Sequence, residues 1–364
     1  MQEMRVQIPA SKASGYRVRI GTEILGSLWR QIEQDYGTLS KFIVTDENLV
    51  RFGHLAKLLG GAKAPAFIIK PAGETSKNID TVTSLLETME KAGLGRDTLV
   101  VALGGGTVGD IAGFAASIFK RGVPVLHIPT TTIAQADSAL GGKTGVDSSR
   151  SKNAYGAFWH PVGVYIDVAT LGTLNDRQFR AGLVESVKHA LIADGEYFNW
   201  LEGNLDSILA RKPDFLEHLA WQNCKIKGSV VEADPDEKNF RRVLNYGHTI
   251  GHAAEAAGGF KLLHGEAVAI GIIAAGLIER QMQLASPERL ERTRRILEKL
   301  GVPVTKPCEL VDKDILELLR HDKKAVNKWP RFVLISDIGR VYSQNGQYAV
   351  EVSPDIVKEI LKKL

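Results

Sequence analysis

The stretch Thr98-Leu-Val-Val-Ala-Leu-Gly-Gly-Gly-Thr-Val-Gly-Asp110 decides which fold the chain is expected to adopt. Its apolar and β-branched start predicts a buried strand, and the glycines that follow match the pattern G-x-G-x-x-G. Glycines in such a turn let the backbone approach a diphosphate, which the N–H groups at the start of the next helix then bind. The alternative interpretation is a tight strand-to-helix turn that needs glycine only for its backbone conformation.

The position of the acidic residue that usually accompanies this turn is displaced. In the common dinucleotide-binding pattern, an acid for the ribose follows about 20 residues later, at the end of the next strand. Here the next strand ends in Ile128-Pro-Thr-Thr131, which contains no acid, whereas an earlier predicted strand ends in Asp46. If a dinucleotide binds, we therefore expect its ribose contacts to come from the earlier strand.

The two halves of the chain differ in their periodicity. In the first half, β-rich segments alternate with helical stretches such as 78–92 and 108–119, which predicts a mostly parallel sheet covered by helices. The predicted strands are residues 4–8, 41–45, 66–70, 98–103, 124–128 and 163–167. Helical periodicity then dominates from 176 to 301, and a strand pair near 330–345 and a helix near 353–363 follow.

This organisation predicts two domains with a ligand site in the cleft between them. We expect an α/β domain over residues 1–174 and an all-α, or mainly helical, domain over residues 175–364. The apolar run 267–278 is too short to span a bilayer and predicts a buried helix.

Composition excludes several classes of function. The net charge of +4 is spread among 42 acidic residues, which is not the signature of a nucleic-acid-binding protein. Cys224 and Cys308 are too few for a disulfide framework, and the N-terminus shows no apolar signal core. We therefore expect a cytoplasmic enzyme that acts on a small molecule and binds neither nucleic acid nor membrane.

Three histidines in the second half predict a metal site. His248 and His252 are four residues apart, so they share one face of a helix, and His264 follows at a predicted helix start. Histidines with nearby acids are typical ligands of zinc, which acts as a Lewis acid on a hydroxyl or carbonyl oxygen. A single helical histidine is more commonly structural, and the residues alone neither select among the three nor name a carboxylate ligand.

The segment 120–160 is rich in cations, amides and hydroxyls. Lys143, Lys152 and Asn153 lie there among glycines, with Arg121 and Asp137 nearby. A solvated loop with surface lysines is the plain interpretation, but a loop of this length in a compact domain is commonly functional. Its composition suits a phosphate or carboxylate ligand.

An ordered set of motifs resembles one known family. The motifs are GGGTVGD, IPTT-x4-AD, GGKTGV, SKNAYGAF, GLVESVKHALI, LNYGHT-x2-H and LLHGEA. In this order they resemble the dehydroquinate synthases, which belong to the sugar phosphate cyclases, over roughly residues 40–345. The resemblance implies a Rossmann-like domain followed by a helical domain, with NAD and Zn²⁺, or Co²⁺ as an alternative, bound in the cleft.

The resemblance also implies a role for individual residues. The implied zinc ligands are Glu185, His248 and His264. The implied NAD-binding positions are Asp46, Asn48, Gly73, Glu74, Lys77, Gly105, Gly106, Thr107, Val108, Gly109, Asp110, Thr130, Thr131, Lys143, Lys152, Thr170, Leu171, Gly172 and Thr173. The implied substrate and catalytic positions are Asp137, Lys143, Lys152, Asn153, Lys188, Lys227, Arg241 and Asn245, one of Lys323 and Lys324, and the proton relays Glu237 and His252.

The implied reaction turns 3-deoxy-D-arabino-heptulosonate 7-phosphate into 3-dehydroquinate and phosphate, a step of the shikimate pathway. It proceeds through transient oxidation by NAD, β-elimination of phosphate, reduction and an intramolecular aldol step, which would make the enzyme a carbon–oxygen lyase. The position of Arg121 implies a homodimer, since the matching arginine of the family reaches into the neighbouring subunit's site.

Three places depart from the family's motifs. Asp147-Ser-Ser149 stands where Asn-His-Pro is usual, Ser151 replaces the glycine before Lys152, and Asn239-Phe240 replaces Gly-Leu before Arg241. These positions adjoin the implied substrate contacts, so rival functions stay open. They are a sibling cyclase that makes amino-dehydroquinate, deoxy-inosose or valiolone, a metal-dependent polyol dehydrogenase, and a catalytically silent NAD-binding protein.

Overall fold

The computed structural model describes residues 15–149, 151–259, 261–320 and 329–364. The predicted strand 4–8 and the pair Lys323–Lys324 lie outside these residues. The described part of the first half contains eight strands, β1 (Arg17–Gly21), β2 (Ser40–Asp46), β3 (Ala66–Ile69), β4 (Thr98–Gly104), β5 (Val125–Pro129), β6 (Lys143–Val146), β7 (Tyr155–Phe158) and β8 (Gly163–Asp167). Six of them form one sheet in the order β1-β8-β5-β4-β2-β3, and every pair within it is parallel.

Helices cover both faces of this sheet. They are α1 (Leu25–Tyr36), α2 (Glu47–Arg51), α3 (His54–Leu59), α4 (Ile79–Lys91) and α5 (Gly106–Ile118). Side chains of the central strand β4 alternate between two cores, with Val100 and Ala102 packed among residues of α4 and α5, and Leu99 and Val101 among residues of α1 and α3. A sheet buried on both faces explains why β4 is an uninterrupted apolar run.

Five predicted strands coincide with β2 to β5 and β8, but the sequence analysis missed β1 and the hairpin β6–β7. Strand β1 is an edge strand in which Arg17 and Arg19 alternate with apolar residues, so it lacks the long apolar run of a central strand. The hairpin pairs Lys143–Val146 with Tyr155–Phe158 in antiparallel fashion, within the segment that was predicted as a loop. Its glycines, Gly145 and Gly156, weakened the strand pattern.

The second half is mainly helical. Its helices are α6 (Asp176–Ala193), α7 (Gly195–Leu209), α8 (Pro213–Ala233), α9 (His248–Ala257), α10 (His264–Gln281), α11 (Pro287–Leu300), α12 (Asp312–Arg320) and α13 (Pro354–Lys363). Among the described residues of this half, four short strands also occur, β9 (Arg331–Val333), β10 (Ile335–Asp337), β11 (Arg340–Val341) and β12 (Ala349–Glu351). They form two antiparallel pairs: β10–β11 is the pair expected near 330–345, and β9–β12 is an additional one in a half that is mainly helical, as predicted.

Helix α10 contains the predicted apolar run and lies in the core, with nearly all its residues buried. Within the described ranges, no helix is both long and apolar enough to cross a membrane. The sheet ends at Asp167 and the first long helix begins at Asp176. One hydrophobic core nevertheless joins Ile166 and Leu171 to the helices, so the division at residue 174 stays a prediction.

Two glycines let α10 pack unusually close to its neighbours. A Cβ atom on Gly271 would lie 1.8 Å from the carbonyl oxygen of Gly247, and one on Gly265 would lie 1.8 Å from that of Ala181. No side chain fits at either position without moving a helix backbone. The first contact holds the start of α9 against the middle of α10, and the second holds the start of α10 against α6.

Replacing Gly271 by alanine should therefore separate α9 from α10 and destabilise the fold. We expect Gly271→Ala to lower the free energy of unfolding by at least about 1–3 kcal/mol, because an overpacked core must shift. Gly203→Ala is the matched control, since Gly203 lies in α7 with open space around it and should gain up to about 1 kcal/mol. Urea unfolding measures both, and equal stabilities of the two variants would contradict the packing argument.

Candidate active site

The glycine turn lies where β4 ends and α5 begins, as the sequence pattern predicts. Gly105 precedes the first residue of α5, and no side chain caps the helix. A Cβ on Gly104 would lie 2.5 Å from Val108, and one on Gly105 would lie 3.0 Å from Thr131. The turn is thus closed to larger residues, and the N–H groups at the start of α5 face the carboxyl edge of the sheet.

Asp46 lies next to this turn because β2 is the neighbour of β4. Its Oδ1 accepts hydrogen bonds from the N–H groups of Asn48 at 2.8 Å and Leu49 at 3.1 Å, which caps α2. Burial raises the pKa of Asp46, although the two N–H donors oppose that effect. The sheet order therefore places the carboxylate of the earlier strand beside the glycine turn.

The other predicted NAD-binding residues follow neighbouring strands at the same edge. The turn that includes Gly73, Glu74 and Lys77 follows β3, Thr130 and Thr131 follow β5, and residues 170–173 follow β8. An ion pair of 2.6 Å joins Lys77 to Asp110 of α5. Parallel strands bring all these loops together, which is where open α/β sheets bind ligands.

Some predicted side chains point into the core instead of the edge. Val108 and Thr170 are 2% exposed and Leu171 is 1% exposed, so only their backbone can face a ligand. Gly172 and Thr173 are exposed at the surface.

Three imidazoles cluster at the starts of α9 and α10. One ring nitrogen each of His248, His252 and His264 lies within 4.8 Å of the other two. The carboxylate of Glu185 on α6 reaches two of them, with Oε1 at 3.7 Å from Nε2 of His248 and 3.5 Å from Nε2 of His264. The ring of His252 meets that of His248 edge-on at a centroid distance of 5.0 Å and is tilted against that of His264 at 5.5 Å.

Hydrogen-bond acceptors beside the Nδ1 atoms of His248 and His264 determine where these two rings carry a proton. Nδ1 of His248 lies 3.0 Å from the carbonyl oxygen of Tyr246, and Nδ1 of His264 lies 3.4 Å from Oε2 of Glu255. Burial opposes protonation of His264, but Glu185 and Glu255 raise the pKa of this ring to about 9. Carbonyls and carboxylates only accept, so both Nδ1 atoms carry a proton and each Nε2 faces Glu185, where a bound metal ion would displace any second proton. This is the arrangement in which histidines bind a metal ion.

Glu185 is 1% exposed, and neither of its carboxylate oxygens accepts a hydrogen bond of good geometry from a described residue. Burial would raise its pKa, but the ammonium group of Lys188 against Oε2 and the nearby imidazoles hold it well below the usual range. Burial, aided by Lys188, lowers the pKa of His248, which keeps this ring neutral. One buried carboxylate oxygen and two lone-pair nitrogens fit a zinc or cobalt ion.

A second charged cluster surrounds Asp137, which lies in the π-helical turn Ala134–Ser138. Its Oδ1 is 2.9 Å from Nζ of Lys227, 3.9 Å from Nζ of Lys188 and 3.6 Å from Nε2 of His189. Burial opposes ionisation, but the ammonium groups of Lys227 and Lys188 hold the pKa of Asp137 well below its usual range. Lys188 contacts both Asp137 and Glu185, so the two clusters form one site.

The remaining predicted substrate residues line the same region. Lys143 forms an ion pair with Glu237, whose Oε1 accepts a hydrogen bond from Asn245 at 3.2 Å. Arg241 is 1% exposed and donates to the carbonyl oxygens of Gly141 and Pro235, both at 2.7 Å. Its guanidinium charge is therefore held by neutral acceptors.

Lys152 joins the glycine turn to the imidazoles. Its Nζ lies 2.6 Å from Oε1 of Glu255 and 3.2 Å from Oε1 of Glu74. The other oxygen of Glu74 accepts a hydrogen bond of 3.1 Å from Thr107 at the start of α5. With the contact between Glu255 and His264, a continuous chain of polar contacts links α5 to the cluster of imidazoles.

The structure also shows residues that the sequence analysis did not assign. Glu255 lies seven positions after His248 on α9, a spacing that puts both on one helical face. His189 follows Lys188 within a quoted motif, which was the available signal. His54 lies 2.7 Å from Oγ1 of Thr173, and nothing in the sequence pattern singled it out.

Arg121 lies away from these clusters along α5. It is exposed in a turn after the helix, whose 13 residues rise roughly 20 Å from the glycine turn. Arg121 is therefore distant from the cleft of its own chain.

Asn153 is exposed on the loop after β6, where its N–H donates to Oδ1 of Asp147 at 2.6 Å.

Comparison with known proteins assigns the family. Residues 67–181 match the family model described as 3-dehydroquinate synthase N-terminal, and residues 182–325 match 3-dehydroquinate synthase C-terminal. The 3-dehydroquinate synthase of Symbiobacterium thermophilum is 41% identical over 354 residues, which cover 96% of this chain and 98% of that protein.

Two solved structures of cyclases share the fold. One is 2-deoxy-scyllo-inosose synthase with carbaglucose-6-phosphate, NAD⁺ and Co²⁺, at 30% identity and a TM-score of 0.84, over 96% of both chains. The other is 2-epi-5-epi-valiolone synthase from Streptomyces hygroscopicus with NAD⁺ and Zn²⁺, at 27% identity and a TM-score of 0.88. It covers 98% of this chain and 99% of that one.

The geometry of Glu185 predicts which histidines bind a metal ion. We expect His248→Ala and His264→Ala to weaken Zn²⁺ binding by more than about 100-fold. This is a larger loss than the removal of a residue that only hydrogen-bonds to a metal ligand would cause. His252→Ala should retain tight binding, because Glu185 faces the other two rings. Competition with a chelator measures the affinities, and a His252→Ala variant as weak as His264→Ala would show that the ligand set is wrong.

Proposed function

Since the chain belongs to the 3-dehydroquinate synthase family, we propose that it converts 3-deoxy-D-arabino-heptulosonate 7-phosphate into 3-dehydroquinate and phosphate. This is a carbon–oxygen lyase reaction of the shikimate pathway, which leads to the aromatic amino acids. The observation that carries the proposal is the joining of a metal-binding cluster to a glycine turn through Lys152. A cyclase needs both groups beside one phosphorylated substrate.

Glu185, His248 and His264 would hold the metal ion, which is Zn²⁺ or Co²⁺ in the two similar cyclase structures. When bound, the ion supplies Lewis acidity to hydroxyl oxygens of the substrate. Lys188 lies against Glu185 and also reaches Asp137, so it balances the negative charge of both carboxylates. The cations near Asp137 would orient the hydroxyl and carboxylate groups of the substrate.

NAD would lie along the carboxyl edge of the sheet, with its diphosphate at the start of α5 and its ribose near Asp46. When bound, NAD supplies a reversible oxidation of a secondary alcohol, so it is regenerated within each turnover. The turn around Glu74 and Lys77 and the threonines after β5 would hold the cofactor. Gly104 and Gly105 have no side chain, and their neighbours leave no room for one, so the backbone of the turn can lie close to the cofactor.

The phosphate of the substrate would be held by Lys152, Asn153, Arg241 and Asn245. Charge-assisted hydrogen bonds from these groups orient the leaving group, and orientation is the main contribution that binding makes to an elimination. The phosphate itself takes up the proton that is removed during elimination. Glu237 and His252 relay protons between the site and solvent.

We also propose a homodimer in which Arg121 completes the partner's site. Arg121 is exposed at the end of α5 that is distant from its own glycine turn. Nearby strand β7 exposes Tyr155 at 49% and Phe158 at 53%, which suits an apolar contact with a second copy.

The two free thiols, Cys224 and Cys308, suit a cytoplasmic location.

An assay with catalytic NAD tests the reaction. The protein with Zn²⁺ and the heptulosonate phosphate should release phosphate and form the cyclic product without accumulating NADH. Lys152→Ala should lower kcat/KM by about 100-fold, because the leaving group is misplaced. The control Lys299→Ala removes a surface lysine that pairs with Asp206 and should leave kcat/KM unchanged. Net NADH from a plain polyol, or turnover of glucose 6-phosphate instead, would contradict this substrate assignment.

Mixing two inactive variants tests the dimer. Arg121→Ala and His264→Ala should each be nearly inactive alone, while a mixture in which subunits exchange should recover roughly a quarter of the wild-type activity. Half of the dimers then contain both variants, and each has one site with an intact His264 and an intact Arg121 from the partner. No recovery after exchange, with dimers present, would show that Arg121 does not act between subunits.

A further inference from the structure

Glu255 lies on α9 one turn beyond His252 and two turns beyond His248, on the same helical face as His248. Its side chain is 4% exposed, so its charge must be balanced by the groups that it contacts. Those groups are Lys152 and His264, which come from different halves of the chain.

The two carboxylate oxygens of Glu255 contact different partners. Oε1 lies 2.6 Å from Nζ of Lys152, and Oε2 lies 3.4 Å from Nδ1 of His264. Because a carboxylate accepts only, Nδ1 of His264 carries the proton and its Nε2 faces Glu185. A carboxylate behind a metal-binding histidine also makes that ring a stronger donor to the metal.

We propose that Glu255 is a positioning residue that couples the metal-binding His264 to the phosphate-binding Lys152. This role rests on the proposed function, because the metal ion and the phosphate are parts of it. Glu255 holds the ring of His264 in the metal-binding tautomer through one oxygen and places the Lys152 ammonium through the other. A substrate phosphate that draws Lys152 towards itself leaves the negative charge of Glu255 to His264, so phosphate binding strengthens the metal site.

Zinc affinity without substrate tests the first half of this role. Glu255→Gln keeps the shape of the side chain but removes its charge, so Zn²⁺ should bind about 10–100-fold more weakly in chelator competition. Glu255→Asp, which keeps the charge, should recover part of that loss. The matched control is Glu266→Gln, since Glu266 is buried at the start of α10 but pairs with Arg177. It should bind Zn²⁺ like the wild type, because glutamine can still accept from the N–H of Leu263.

A double-mutant cycle tests the second half. Glu255→Gln should raise the KM for the heptulosonate phosphate, and it should have no further effect on KM when Lys152 is already methionine. Equal effects of Glu255→Gln in both backgrounds would overturn the coupling to Lys152. Zinc affinity unchanged within about twofold in Glu255→Gln would overturn the role towards His264. A wild type that binds Zn²⁺ tightly but releases no phosphate would contradict the proposed function only.

Discussion

Burying the carboxylate of Glu185, which is 1% exposed, costs free energy that its surroundings must offset. Lys188 and the rings of His248 and His264 provide the opposing charge and polarity. Lys188 is itself buried, and its second partner is Asp137, which is then shared with Lys227. The site is therefore one network in which each buried charge requires the next. Removing one member leaves an uncompensated buried charge. The free-energy cost of that charge is larger than the net stabilisation that the ion pair provides.

The order of the sheet strands connects this network to the cofactor edge. Because β4 has β2 on one side and β5 on the other, the acid at the glycine turn is Asp46 and not a residue after β5. The hairpin β6–β7 packs against α5 before the chain returns to the sheet as β8. The loop of this hairpin holds Lys152, which contacts Glu74 on one side and Glu255 on the other. The two halves are thus tied by ion pairs as well as by their common core.

Patterns with a strong period were predictable from the sequence, and contacts between distant segments were not. The buried strands and long helices have apolar repeats, and the carboxyl edge follows from parallel pairing alone. Edge strand β1 and the glycine-containing hairpin lack such repeats. The ligand choice among three histidines needs the position of Glu185, and the role of Glu255 needs the loop that carries Lys152. Both assignments depend on contacts between segments that are distant in the sequence, which the spacing of residues on one helix cannot reveal.

The residues between β6 and β7 that depart from the family's motifs form hydrogen bonds that shape their own loop. Asp147 accepts the N–H of Asn153 at 2.6 Å and donates its own N–H to the carbonyl oxygen of Lys77 at 2.8 Å. Ser148 accepts the N–H of Ser151 through Oγ at 3.1 Å. These bonds fix the backbone before Lys152 and tie it to the turn after β3. Side chains that hydrogen-bond within their own loop restrict its conformation, so these residues hold the backbone around Lys152 in place.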